Sequence, residues 1–155
     1  HGRTALLLTE EDLSWMPSQM PQGLVALNAS PRSVLASSSD IVTQFVEAAI
    51  DDGLQRLTRH YAAAGLPCAE TALDDDALVQ WLVEERMDEV VCAYAPMGPT
   101  RLRLRALRQS LACKGISLRM QMRDYDRLVW PHANRGFFQL GKRIPEFLDI
   151  MRGGQ

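Results

Sequence analysis

The sequence predicts an α/β fold, a three-layer sandwich around a five-stranded parallel sheet. Residues 88–122 are the first reason. The β-rich run from Val90 to Ala95 ends abruptly at Pro96-Met97-Gly98-Pro99. A helix follows with Leu104, Leu107 and Leu111 on one face, and Gly115 stops it before the next strand, residues 116–120. A strand–helix–strand unit of this kind is the connection that parallel pairing requires. The second reason is the order along the whole chain: short apolar runs alternate with helical periodicity, as in a sheet covered on both faces. The third is composition, since 155 residues with 46% apolar and 23% charged side chains suffice for one full core.

Each element has its own signal. Residues 4–9 are a buried-strand run that meets charge at Glu10, Glu11 and Asp12. Pro17 and Pro21 keep any helix in the next segment short. Residues 24–28 are the second buried strand. Ala29, Ser30, Pro31, Arg32 and Ser33, with Ser37, Ser38 and Ser39, read as a polar loop. Asp40 is a good N-cap for a long helix whose buried face is Val46, Ala49, Ile50, Leu54, Leu57 and Tyr61. Gly65 ends that helix, and residues 66–72 are the expected third strand. Asp74, Asp75 and Asp76 open the next helix, where carboxylates suit the positive end of the dipole. Leu78, Trp81, Leu82 and Met87 form its apolar side. With right-handed crossovers the expected strand order is 3-2-1-4-5. Residues 1–122 are read as the α/β sandwich. Residues 123–155 are read as an extension packing on the same domain, with an aromatic-rich loop over 130–138 and a terminal helix over 144–151, Pro145 in its first turn.

That strand order puts the reversal of direction between the first and fourth strands, where parallel sheets bind ligands. The strand ends there supply the candidate residues: Thr9, Glu10 and Glu11 after the first strand, Asn28 after the second, and Ala95, Met97, Gly98, Thr100 and Arg101 after the fourth. Free N–H groups at the start of the helix would hold an anion, helped by the Thr100 hydroxyl and the Arg101 charge. The plainer alternative is a tight strand-to-helix turn without a ligand. Neither a Walker loop nor a G-x-G-x-x-G fingerprint is present. The carboxylates of Glu10 and Glu11 suit hydrogen bonds from a ribose or a ring N–H, unless they are only a polar strand end. Arg101, Arg105 and Arg108 share a helical face, with Arg103 off to the side. That face suits a phosphate backbone, an acidic partner or simply water. His60 suits the end of the long helix, and His132 either lines a pocket or packs between domains. Neither has a partner at metal-ligand spacing, so no metal is expected.

The bulk numbers narrow the classes. A formal charge of −2 does not call for a polyanionic partner. No apolar run approaches the ~20 residues of a membrane span. Cys68, Cys92 and Cys113 form no C-x-x-C pair and read as buried reduced thiols, which fits a cytoplasmic location. The chain opens at His1 without a methionine, which reads as a tag remnant ahead of a segment from a longer protein.

Several motifs, weak singly, occur in a recognisable order. The helix from Phe45 to Tyr61 leads to Gly65-Leu66. The helix from Asp76 to Met87 leads to Val90-Val91 and Tyr94-x-Pro96. A charged helix from Arg101 to Leu111 is followed by Gly115-Ile116, Asp126-x-x-Leu128 and Pro131, then Gly136-Phe137-Phe138 and Ile144-Pro145. In these, from Thr4 to Pro145, the chain resembles the N-terminal, Rossmann-like α/β domain of the DNA photolyase/cryptochrome family. That family usually follows its first strand with Arg-Arg-Asp-Leu-Arg, where this chain has Glu10-Glu11-Asp12-Leu13-Ser14. The resemblance implies a domain of a larger light-dependent flavoprotein. It would dock on the parent's helical FAD domain, which lies outside these residues, and meet DNA only through that parent. It also implies an antenna pigment in this domain: a folate, a deazaflavin or a flavin. Alone the domain would not be catalytic. The other reading is a free-standing domain of the universal-stress or adenine-nucleotide type, with a phosphate at residues 98–101. A third is an interaction domain with a vestigial pocket.

Overall fold

A computed structural model describes residues 2–29 and 40–153. The polar loop expected from Ser30 to Ser39 lies outside the described residues. The chain forms two compact units, His1–Gln121 and Met122–Gln155.

The first unit is an α/β sandwich on a parallel sheet. Its strands are β1 (Thr4–Leu8), β2 (Gly23–Ala26), β3 (Glu89–Ala93) and β4 (Ser117–Gln121), in the order β2-β1-β3-β4. All three pairings are parallel. β2 is buried throughout, and β1 and β3 are buried after their first residue, as expected of strands covered on both sides. β4 alternates, with Leu118 buried and Ser117 and Arg119 exposed, because it lies at an edge. Arg108 protects that edge: its Nε and Nη2 donate to the Leu118 carbonyl at 3.2 and 2.8 Å. A capped edge carbonyl is unavailable to a foreign strand.

The helices are α1 (Asp40–His60), α2 (Asp75–Glu84) and α3 (Pro99–Ala112). The period of 2 in the strands sends alternate residues to opposite faces. Ala5, Leu7, Val25, Leu27, Val90, Cys92 and Leu118 meet Leu78 and Leu82 of α2 and Leu104, Leu107 and Leu111 of α3. Leu6, Leu8, Leu24, Ala26, Val91 and Ala93 meet Ile50, Leu54 and Leu57 of α1. Gly53 allows that approach, since a Cβ there would lie 2.9 Å from Leu8 Cδ2. At 21 residues, about 31 Å, α1 is twice the length of the strands it covers. Its burial therefore begins only at Ile50, and Ile41 and Phe45 are 75% and 73% exposed. α2 starts where expected: the Asp74 side chain accepts from the Ala77 N–H at 2.9 Å. The long helix ends in a 3₁₀ turn, Ala62–Ala64, closed by Gly65 at φ 60°, a left-handed conformation that suits glycine.

Three expectations are corrected here. Among the described residues the sheet has four strands, because residues 66–72 do not form a regular fifth. The segment that ends at Leu73 runs parallel to β2 and touches it at two bridges, Leu24–Cys68 and Leu27–Leu73. Leu24 donates to the Pro67 carbonyl and accepts from Ala69, yet the next bond to β2 is Leu73 N–H to Ala26. A regular parallel ladder would take that bond from residue 71, so two extra residues are looped out and the ladder breaks. Secondly, the expected aromatic loop is helical. The second unit consists of α4 (Asp124–Val129), a 3₁₀ turn (Trp130–Arg135), α5 (Phe137–Gly141) and α6 (Ile144–Gly153). Within it α4 packs on α6, and Phe147 is buried. Thirdly, Cys113 is exposed beyond the end of α3, while Cys92 is buried and Cys68 half-buried. All three thiols are free. Among the described residues no helix is long and apolar enough to cross a membrane.

Candidate functional site

The chain begins in the middle of the sheet, adds β2 on one side of β1 and then crosses to β3 on the other. After β1 the chain turns to the α1 face, where Trp15 packs, and after β3 it turns to the opposite face, which α3 covers. In parallel sheets, connections that diverge in this way mark the crevice at the carboxyl ends of the strands, here between the turn after β1 and the first turn of α3.

Two of the candidate residues meet there. The Thr100 hydroxyl donates to Glu10 Oε1 at 2.7 Å, across 90 residues of sequence. Glu10 thus brings its carboxylate to the first turn of α3, where the dipole favours negative charge by roughly 0.3–1 kcal/mol. The other carboxylate oxygen, Glu10 Oε2, is buried and has no hydrogen-bond partner, and the same holds for Thr9 Oγ1. Thr9 and Thr100 are each only 1% exposed. A buried polar atom left unpaired costs about 1–3 kcal/mol, so folded chains seldom keep one without water or a ligand. Glu11 is exposed. The neighbouring Asp12 is committed to the turn, its Oδ1 accepting from Ser14 N, Ser14 Oγ and Trp15 N at 3.0–3.1 Å.

The other candidates have different positions. Ala95 is fully buried and Met97 is 90% exposed. Gly98 precedes α3 in an extended conformation, and a Cβ there would meet nothing within 4 Å, so neither backbone nor space demands glycine. Arg101 turns to its own strand end: Nη1 lies 3.3 Å from the Ala95 carbonyl and 3.0 Å from Met120 Sδ, with the guanidinium 5.0 Å from the Tyr94 ring centre. The arginine face expected to be available is thus engaged locally at Arg101 and Arg108.

Asn28 is held by Arg103, which lies off the helical face shared by Arg101, Arg105 and Arg108. Arg103 Nη1 donates to the Asn28 carbonyl at 2.7 Å and to that of Ala29 at 3.2 Å. Nη2 donates to Asn28 Oδ1 at 2.5 Å, and Nε pairs with Asp75 Oδ1 at 2.8 Å. One guanidinium therefore joins the end of β2 to α2 and α3. The available signal was slight: Arg103 stands next to buried Leu104 on a helix that must pack.

Titration is perturbed elsewhere. Burial pushes the Cys92 thiol up to about 12, against a smaller opposing pull from Arg101 and Arg108, which makes it a poor nucleophile. The Arg119 hydrogen bond holds Glu89 below the usual carboxylate range. These two belong to a cavity of about 780 Å³ at the amino ends of the strands. Its polar lining is bonded to itself through Thr4, Glu89, Arg119 and Gln121. In the second unit, Arg143 donates to His132 Nδ1 at 2.7 Å and pairs with Glu146, while the His132 ring stacks on Phe147. Among the described residues no three His, Cys, Asp or Glu are grouped to hold a metal ion.

The strand ends thus bring together a buried carboxylate oxygen and a buried hydroxyl, neither of which has a hydrogen-bond partner. No protein-family model, curated protein or solved structure matches the chain.

Proposed function

We propose that this chain is an α/β domain of the photolyase/cryptochrome type, working within a larger light-dependent flavoprotein. Its part there is to dock on the helical FAD domain of the parent and to hold a small chromophore at the crevice. DNA is met through the parent, in the cytoplasm, and the domain alone carries out no reaction. The observation that supports this reading best is the pair of unpartnered buried atoms, Thr9 Oγ1 and Glu10 Oε2, at the carboxyl ends of the strands. The ordered motifs from Phe45 to Pro145 add to it. The interrupted segment 66–73 is then the remnant of a fifth, edge strand, for the order 3-2-1-4-5.

A second reading, a nucleotide-binding domain with a phosphate at residues 98–101, draws on the positive end of the α3 dipole. The Glu10 carboxylate at that helix end opposes it, since a phosphate there would meet like charge. Absorption separates the two. The purified protein should absorb in the near-ultraviolet or blue, or acquire that absorption with a folate, deazaflavin or flavin. A colourless protein that takes up none of these, but melts at a higher temperature with ATP, would support the nucleotide reading instead. Coding sequence beyond Gln155 is a separate check: a helical FAD-binding region there is expected, and an immediate stop would count against the parent flavoprotein.

A further inference from the structure

We propose that the crevice selects ligands that present an uncharged, hydrogen-bond-donating edge, and that it excludes a phosphate from that position. The inference rests on the reading above that a small molecule is held at this point, and it adds the charge and hydrogen-bond character of that molecule.

Two independent observations converge. Glu10 places a carboxylate on the first turn of α3 through Thr100, so the position that attracts anions at a helix start is already taken by one. Its second oxygen, Oε2, is buried and unpartnered. A carboxylate oxygen only accepts, so whatever meets it must bring an N–H or O–H. Thr9 supplies the other observation. It continues the alternation of Ala5 and Leu7, whose side chains pack under α2 and α3, so its hydroxyl lies on the α3 side of the sheet. That hydroxyl is buried and unpartnered as well. It can answer a donor or an acceptor.

The complementary molecule carries a donor edge: the lactam N–H or amino group of a heterocycle, or the hydroxyl of a sugar. A phosphate fails on both counts. It offers no donor to Glu10 Oε2 and brings negative charge to a carboxylate in a setting of reduced dielectric. Arg101 does not offset this, since its guanidinium is turned to the Ala95 carbonyl and Met120.

Two matched pairs of probes isolate the phosphate. Riboflavin and FMN share one ring system, and adenosine and ATP share one base and sugar. Each is titrated into the whole protein, the flavins by fluorescence and the adenine compounds by calorimetry. At least one neutral member should bind, and at least about tenfold more tightly than its phosphorylated counterpart. Glu10→Gln should shrink that ratio toward unity, while Thr9→Val should weaken the neutral ligand and leave the ratio unchanged. Far-ultraviolet circular dichroism checks that both variants fold, and the wild-type ratio stands as a test without them. The proposal is overturned if FMN or ATP binds as tightly as its neutral partner. It is also overturned if none of the four binds, for then water alone fills the two positions. Binding of adenosine without riboflavin would keep the selectivity and remove the chromophore from the proposed function.

Discussion

Replacing Arg103 with methionine keeps the aliphatic stem and removes the guanidinium. The side chain is only 10% exposed, so water cannot easily take over its bonds. Three acceptors lose a charged donor: the Asn28 carbonyl, Asn28 Oδ1 and the Ala29 carbonyl. Each such bond contributes about 1 kcal/mol net, giving roughly 3 kcal/mol. The ion pair with Asp75 adds little, because Asp75 is 46% exposed and such pairs are worth about 0–1 kcal/mol. Part of the total returns because methionine is cheaper to bury than a guanidinium. The expected loss is therefore about 2–3 kcal/mol, or roughly 5–10 °C in melting temperature for a chain of this size. Arg103→Lys should lose about half as much, since an ammonium cannot reach acceptors on three elements at once. Urea unfolding followed by tryptophan fluorescence measures both. A double-mutant cycle with Asn28→Ala should give a coupling of about 1 kcal/mol. If Arg103→Met lies within about 0.5 kcal/mol of wild type, the junction between β2, α2 and α3 is not what holds this end of the sheet.

Three further outcomes follow from single contacts. Asp74→Ala removes the cap of α2 and should cost about 1 kcal/mol in urea unfolding, with Asp74→Asn nearly neutral; equal losses in the two would dismiss the cap. Glu89 titrates below its ordinary value because of Arg119, so its stabilising effect is full above the unfolded pKa and disappears as pH falls through the folded one. Glu89→Gln should accordingly flatten the stability profile below about pH 4.5, and a parallel profile would show that the pairing does not matter. Cys113, exposed, should alkylate in the native protein, whereas Cys92, fully buried with its thiol pushed up to about 12, should alkylate only on unfolding. Mass spectrometry of the labelled peptides distinguishes them, and equal rates would refute the burial argument.

Much of the layout was legible in local patterns. The runs at residues 4–9, 24–28 and 90–95 became β1, β2 and β3 because buried parallel strands are apolar on both faces. Gly65 and Gly115 both stand at positive φ where helices end, and Asp74 caps as its residue type suggests. The same patterns misjudged residues 66–72. A strand signal says that a segment is extended, but not that its register survives two looped-out residues. They also missed the helical character of residues 130–138, where aromatics obscured the short helical turns.

The candidate site separates the two levels most clearly. The residue types at the strand ends and the crossover that puts β3 beside β1 follow from the chain's own order of apolar runs, turns and helices. Which side chains meet does not follow, because it depends on distances between residues remote in sequence. Thr100 reaches Glu10 across 90 positions and Arg103 reaches Asn28 across 75. Periodicity places Arg101 and Arg103 on a helix but says nothing about what lies opposite. Only the packing of α3 against the sheet turned Arg101 away from the crevice, made Arg103 the tie for β2, and left Thr9 Oγ1 and Glu10 Oε2 buried without partners.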